Sequence, residues 1–275
     1  MFSKSAKAIF EATHQLFKGW PAMVMMATVY AAMLASLYFF ASTREATVAQ
    51  LILTLLLAVA APVLFFLLQT AIASYMVEPN AGFLLKKSAR DFWKLVIISL
   101  PVLALTILAL YALGKAQTHL PIGATMAPSQ SISQSDATNV PIQWDQTALM
   151  TVRYLLLGVV APLLLIHFWI TTSSQGLRSL LNLRLLPGRL RELAGKAFAP
   201  ESLLIYGCGF LVFAVIPYLT IFKAIPARRA WVEVSLLAFR LLISATLVLL
   251  GWITTVGALS ISATKPAESQ CAEEQ

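Results

Sequence analysis

The sequence predicts an all-α fold, a polytopic membrane helix bundle of about six transmembrane helices with amphipathic interfacial helices on the cytoplasmic side. Three observations lead there. The 275 residues are 59% hydrophobic and only 12% charged, whereas soluble globular domains carry about 25% charged residues. A soluble fold of this length could not hide so much apolar surface. Six apolar stretches, at 20–41, 48–77, 95–114, 149–173, 202–222 and 234–262, each approach or exceed the ~20 residues that cross a hydrocarbon core as a helix. Lysine and arginine are distributed unevenly between alternate connections, which predicts orientation.

With the amino-terminal side taken as inside, 13 of the 20 Lys and Arg residues fall inside and seven outside. The inside set includes Lys4, Lys7, Lys18, Lys86, Lys87, Arg90, Lys94, Arg178, Arg184, Arg189, Arg191, Lys196 and Lys265. Both termini are therefore expected in the cytoplasm, in a bacterial inner membrane. Residues 1–19 contain Glu11 and His14, and no small-residue cleavage site follows the first apolar run, so that run is expected to stay as an anchor. The net charge of +8 is read as this positive-inside bias, not as a nucleic-acid footprint.

Three inner segments have amphipathic spacing. In 2–18, Phe2, Ala6, Ile9, Phe10, Leu16 and Phe17 share a face opposite Lys4, Lys7, Glu11, His14 and Lys18. In 83–94, Leu84, Leu85, Ala89 and Phe92 oppose Lys86, Lys87, Arg90 and Lys94. In 188–202, Leu190, Leu193, Ala194 and Ala197 oppose Arg189, Glu192 and Lys196. Each precedes a span going out and a span coming back. The chain thus reads as one integral membrane domain over 1–275 made of three hairpin units, 1–77, 78–175 and 176–262. Residues 117–148 form an uncharged-rich extracytoplasmic loop, and 263–275 a polar tail.

The returning spans resemble one another. "LLLAVAAPVLFF" at Leu55–Phe66 matches "LLLGVVAPLLLI" at Leu155–Ile166, and "WITT" recurs at Trp169–Thr172 and Trp252–Thr255. Parallel repeats and convergence of Leu-rich sequence both explain this. Pro62, Pro101, Pro162 and Pro217 lie inside spans and are expected to kink them. "GCGF" at Gly207–Phe210 and "GVVA" at Gly158–Ala161 offer small residues for close helix packing.

Chemistry-bearing residues are few. No carboxylate lies deep in a span, and no metalloprotease, phosphate-loop or hydrolase motif occurs, so no catalytic residue, metal or cofactor is assigned and the chain is not expected to be an enzyme. His167 is a weak cofactor-ligand candidate, weighed against a neutral histidine bonded to a neighbouring helix. Arg153 and Arg240 are candidates for lipid or anion contact, weighed against snorkelling to headgroups. Lys86, Lys87, Arg90, Arg184, Arg189, Arg191 and Lys196 form the expected cytoplasmic basic surface. Cys208, in an apolar run, is expected to pack, with no disulfide to Cys271. Trp20 and Trp93 are expected as inner-interface anchors and Trp231 as an outer one. The expected partners are the bilayer, anionic lipid headgroups and other membrane subunits, with no nucleic acid. Two function classes fit. One is a non-catalytic accessory, scaffold or assembly subunit of a membrane complex. The other is a permease or channel component for a solute or lipid, driven by a separate cytoplasmic ATPase.

Overall fold

Helices form wherever the apolar runs were long and unbroken. The computed structural model describes residues 2–43, 47–77, 84–119, 144–175, 186–223 and 230–273, and no strand occurs among them. In chain order the helices are α1 (Phe2–Lys18), α2 (Trp20–Ser42), α3 (Val48–Val77) and α4 (Leu84–His119). They continue with α5 (Trp144–Leu155), a π-helical turn (Leu156–Val160), α6 (Ala161–Gln175) and α7 (Leu186–Ala197). The last are α8 (Pro200–Phe210), a second π-helical turn (Leu211–Val215), α9 (Ile216–Phe222) and α10 (Ala230–Glu273). Six helical stretches are long and apolar enough to span a membrane: Trp20–Ser42, Val48–Met76, Leu84–Gln117, Thr147–Ser174, Pro200–Phe222 and Trp231–Ala263. Each overlaps a span expected from sequence.

Boundaries follow local chemistry. Gly19 separates α1 from α2, and Pro21 occupies the first turn of α2, where the missing N–H costs nothing. Ala199 in extended geometry and Pro200 at the first turn divide α7 from α8 in the same way. Thr43 ends α2, its hydroxyl and its N–H both bonding the Phe39 carbonyl, at 2.6 and 2.9 Å. No such break lies between 83–94 and the third span. Residues 84–119 form one helix of 36 residues, about 54 Å long at 1.5 Å per residue, so the expected separate second amphipathic helix is instead the first turns of α4. The segment 263–273, expected as tail, likewise continues α10.

The two Leu-Ala-Pro segments differ. Pro62 and Pro101 lie inside uninterrupted α-helices. Pro162 and Pro217 each follow a π-helical turn by two residues. In those turns Ala161 N–H bonds the Leu156 carbonyl and Ile216 N–H bonds the Leu211 carbonyl. The wide turn moves the carbonyl that a proline ring would otherwise strike.

The chain divides into two compact units, residues 1–98 with 166–275, and residues 99–165. In the larger unit, α2 packs along α3, while α10 packs against α1, α3, α8 and α9. Its core is concentrated in the C-terminal parts of the returning spans. Leu68 and Ala71–Ala73 of α3, Ile166–Ile170 of α6, and Ile253, Val256, Ala258 and Leu259 of α10 are all buried. The smaller unit holds the later part of α4, α5 and its π turn. Leu105, Leu108, Tyr111, Met150, Tyr154 and Leu155 are exposed there, as lipid-facing side chains of a spanning helix would be.

α1 departs from its expected division into two faces. Ser5, Ala8, Ala12 and Leu16 are buried, and Ala12 meets α10 at Gly257, where a Cβ would stand 3.1 Å from Ala12 Cβ. Phe10 and Phe17 remain exposed at 72% and 60%. The apolar arc is therefore split. Its small-residue side packs on α10, because only small side chains let the backbones approach. Its aromatic side is left outward. Leu16, assigned from sequence to the aromatic side, belongs to the protein side.

The α1–α2 elbow is closed by α3. Tyr75 Oη donates to the Gln15 carbonyl at 3.1 Å, which also accepts from the Gly19 N–H at 3.1 Å in the last turn of α1. A Cβ on Gly19 would overlap the Tyr75 hydroxyl. Gly19→Val should therefore expel Tyr75 and loosen α1, whereas Tyr75→Phe removes one hydrogen bond, worth about 1 kcal/mol. Protease sensitivity of 2–20 in detergent should rise sharply for the first variant and slightly for the second.

Candidate functional site

The part of the molecule where polar side chains converge is the buried core of the larger unit. Among the described residues the buried polar side chains are serines and threonines, Gln69 and His167. Most of the threonine hydroxyls are engaged within their own helices. Thr70 bonds the Phe66 carbonyl at 2.7 Å, Thr172 that of Phe168 at 2.6 Å, and Thr255 that of Gly251 at 2.6 Å. This back-bonding lets a polar residue lie in an apolar interior without a partner helix.

Gln69 works between helices. Its Oε1 accepts from Trp252 Nε1 at 2.8 Å, joining α3 to α10. Trp252 also meets Phe213 edge-on, ring centres 5.2 Å apart at 89°. One helical turn before Gln69, Phe65 meets Trp169 edge-on at 6.3 Å. The tryptophans of both "WITT" segments thus lean on the same strip of α3, four residues apart. Tyr206, Phe210 and Phe213 extend the cluster, their ring centres 5.7–6.3 Å apart. Gln69 was missed in the sequence. The available signal was a lone side-chain amide deep in a leucine-rich span.

Close approach accompanies these contacts. A Cβ on Gly209 would overlap the Thr255 side chain, and one on Gly251 would stand 3.0 Å from Phe213 Cβ. Of the two small-residue segments, "GCGF" thus supplies a real crossing at Gly209, while nothing stands within 4 Å of a Cβ on Gly158 or Gly207. Cys208 is exposed, contrary to the expectation that it packs, because this face of α8 points away from α10.

Of the sequence-derived candidates, His167 and Arg240 belong to the larger unit and Arg153 to the smaller. His167 is buried, and its carbonyl accepts from Thr171 at 2.8 Å. Arg240 Nη1 donates to the Lys223 carbonyl at 2.7 Å, just past the end of α9. A guanidinium there satisfies an orphan carbonyl and complements the negative end of the helix dipole. Arg153 is exposed on α5, in the other compact unit. Arg240→Gln should lower the melting temperature measurably, by the equivalent of about 1 kcal/mol for a half-exposed charged hydrogen bond. Arg153→Gln should leave it unchanged.

Of the basic surface, Lys86, Arg90, Arg191 and Lys196 are exposed and Lys87 is half-buried. Lys196 pairs with Glu192 at 2.8 Å. Leu193 and Ala197 on the same helix are buried. Arg184 and the side chain of Arg189 lie outside the described residues, as does most of the 117–148 loop. Trp20, Trp93 and Trp231 are exposed at 61%, 62% and 66%.

Among the described residues these features define a class, an all-helical protein with six helices long and apolar enough to span a membrane. No protein-family model, no curated protein and no solved structure matches the chain.

Proposed function

We propose that this chain is a non-catalytic multi-pass protein of a bacterial inner membrane, an accessory, scaffold or assembly subunit of a larger membrane complex. Both termini lie on the cytoplasmic side. The observation that carries the reading is the use made of the buried polar groups. Gln69, Trp252, Tyr75 and the core threonines spend their hydrogen bonds holding helices together or closing their own turns. Such a core serves as a scaffold, and the large apolar side chains on the remaining faces offer surface to neighbouring helices as well as to lipid.

The uneven distribution of Lys and Arg supports the orientation. The exposed aromatic flank of α1, beside Lys4, Lys7 and Lys18, supports a position in the cytoplasmic leaflet. Site-specific photo-crosslinking in the native membrane tests the functional reading. A probe at Leu55 or Leu56, exposed at 66% and 63%, should capture a second membrane protein in good yield. Products containing only lipid from both positions would count against it.

A second reading, a permease or channel component served by a separate ATPase, is favoured by one observation. Two spans carry π-helical turns beside prolines, and such turns are frequent at functional sites. A nucleotide-hydrolysing subunit among the crosslinked partners would move this reading ahead.

A further inference from the structure

From the first turns of α4 we infer a binding site for one anionic phospholipid, built by Lys86, Arg90, Trp93 and Ile97. The inference rests on the six helices spanning a membrane and is independent of the accessory-subunit reading. Residues 86, 90, 93 and 97 recur at four-, three- and four-residue intervals, which puts them on one face of a helix. The opposite face is fixed to the protein: Leu84, Ser88 and Leu95 are 2%, 0% and 1% exposed. The outward face is open. The Arg90 side chain is 78% exposed, Trp93 62% and Ile97 45%.

Charge on this segment is arranged to leave that face cationic. Its one carboxylate, Asp91, lies only 16% exposed and is held by Lys94 at 2.7 Å, with Arg90 Nε at a looser 3.6 Å. Lys94 therefore neutralises Asp91, and Lys86 and Arg90 stand one turn apart with a net charge of about two on the face. Moving along α4, the side chains change in the order a phospholipid does. Two cations meet a phosphate, an indole sits at the glycerol-ester level where tryptophan concentrates, and an aliphatic side chain follows at acyl depth. The advance from Lys86 to Ile97 is about 16 Å at 1.5 Å per residue, enough to reach from headgroup to upper acyl chain. A soluble anion would use the cations alone and gain nothing from Trp93 or Ile97, so the occupant is a lipid.

The test titrates the detergent-purified full chain with phosphatidylglycerol and, separately, phosphatidylcholine, reading bound lipid by native mass spectrometry. The wild type should prefer phosphatidylglycerol. Lys86→Gln with Arg90→Gln should reduce that preference roughly tenfold or more, as expected for two interfacial cations. Arg191→Gln with Lys196→Gln, which removes the same charge from α7, should leave it intact. Equal loss in both double variants would reduce the effect to general charge and overturn the site. So would no loss in the first, or displacement of the lipid by millimolar inorganic phosphate. A wild-type measurement covers misfolding of the variants: phosphatidylglycerol, but not phosphatidylcholine, should protect Lys86 from acylation while Lys196 still reacts. Equal reactivity of Lys86 in both lipids would overturn the proposal on its own. Extraction of the chain without detergent would instead refute the membrane reading beneath it.

Discussion

Gly209→Val should prevent α8 from seating on α10. The valine Cβ would overlap the side chain of Thr255, and that residue has little freedom to yield. Thr255 is 2% exposed, and its hydroxyl is tied to the Gly251 carbonyl at 2.6 Å. The branched side chain also forces a choice between shifting a helix and breaking that bond. Overpacking of a close-packed interior costs about 1–3 kcal/mol, and a contact of this kind belongs at the top of that range or above it. The expected outcome is loss of a monodisperse peak on size-exclusion chromatography in mild detergent. Gly207→Val, two residues away on the open side of the same helix, should purify normally. Adding Thr255→Ala to Gly209→Val should recover part of the loss, because it removes two of the three atoms nearest the added Cβ. Equal behaviour of the two glycine variants would contradict the crossing.

Gln69→Leu should destabilise the chain more than any other single polar-to-apolar change in α3. Leucine fills most of the volume but leaves the Trp252 N–H in an apolar interior without its acceptor. An unsatisfied buried donor costs about 1–3 kcal/mol. Trp252→Phe keeps an aromatic ring against Phe213 but leaves the buried Gln69 amide without its donor, so its loss should be of similar size. Combining the two should restore part of the deficit, since neither polar partner then remains. The coupling energy from the double-mutant cycle should lie at about 0.6–1.7 kcal/mol, between the mean and the maximum found for hydrogen bonds between membrane helices. Strict additivity of the two single variants, in detergent melting curves, would show that the bond contributes nothing.

The elements were largely legible in the sequence because long apolar runs define spanning helices by length alone. Val48–Val77 and Trp20–Ser42 fall within a residue of where hydropathy puts them. What was not legible is which side of each helix packs. In a soluble protein the polar face identifies the buried face by contrast. In a helix apolar all round, lipid and protein interior favour the same side chains, so apart from the amide of Gln69 nothing in the 48–77 pattern marks the strip that meets both "WITT" tryptophans. The same ambiguity split the apolar arc of α1, where Leu16 and Phe17 are neighbours in sequence and part company in the fold.

Proline was an incomplete guide for a related reason. Four spans contain one, yet only Pro162 and Pro217 accompany π-helical turns. A missing N–H permits a widened turn without requiring it, and neighbouring packing decides. Arg240, from sequence a candidate for lipid or anion contact, donates to the carbonyl just past the end of α9. The two "WITT" tryptophans meet neighbouring positions of α3, whereas the two Leu-Ala-Pro segments differ in helical form. Among the described residues the buried core of the larger unit holds hydroxyls, one side-chain amide, one imidazole and indoles, groups suited to joining helices.

The proposed role requires that this joining extend to another protein. Gentle extraction of the full chain from its native membrane, followed by native mass spectrometry, tests that most directly. The predicted result is a complex of defined stoichiometry containing at least one other membrane subunit, which persists when the detergent is exchanged. Recovery of this chain alone, at high yield and with only lipid attached, would contradict the proposed role.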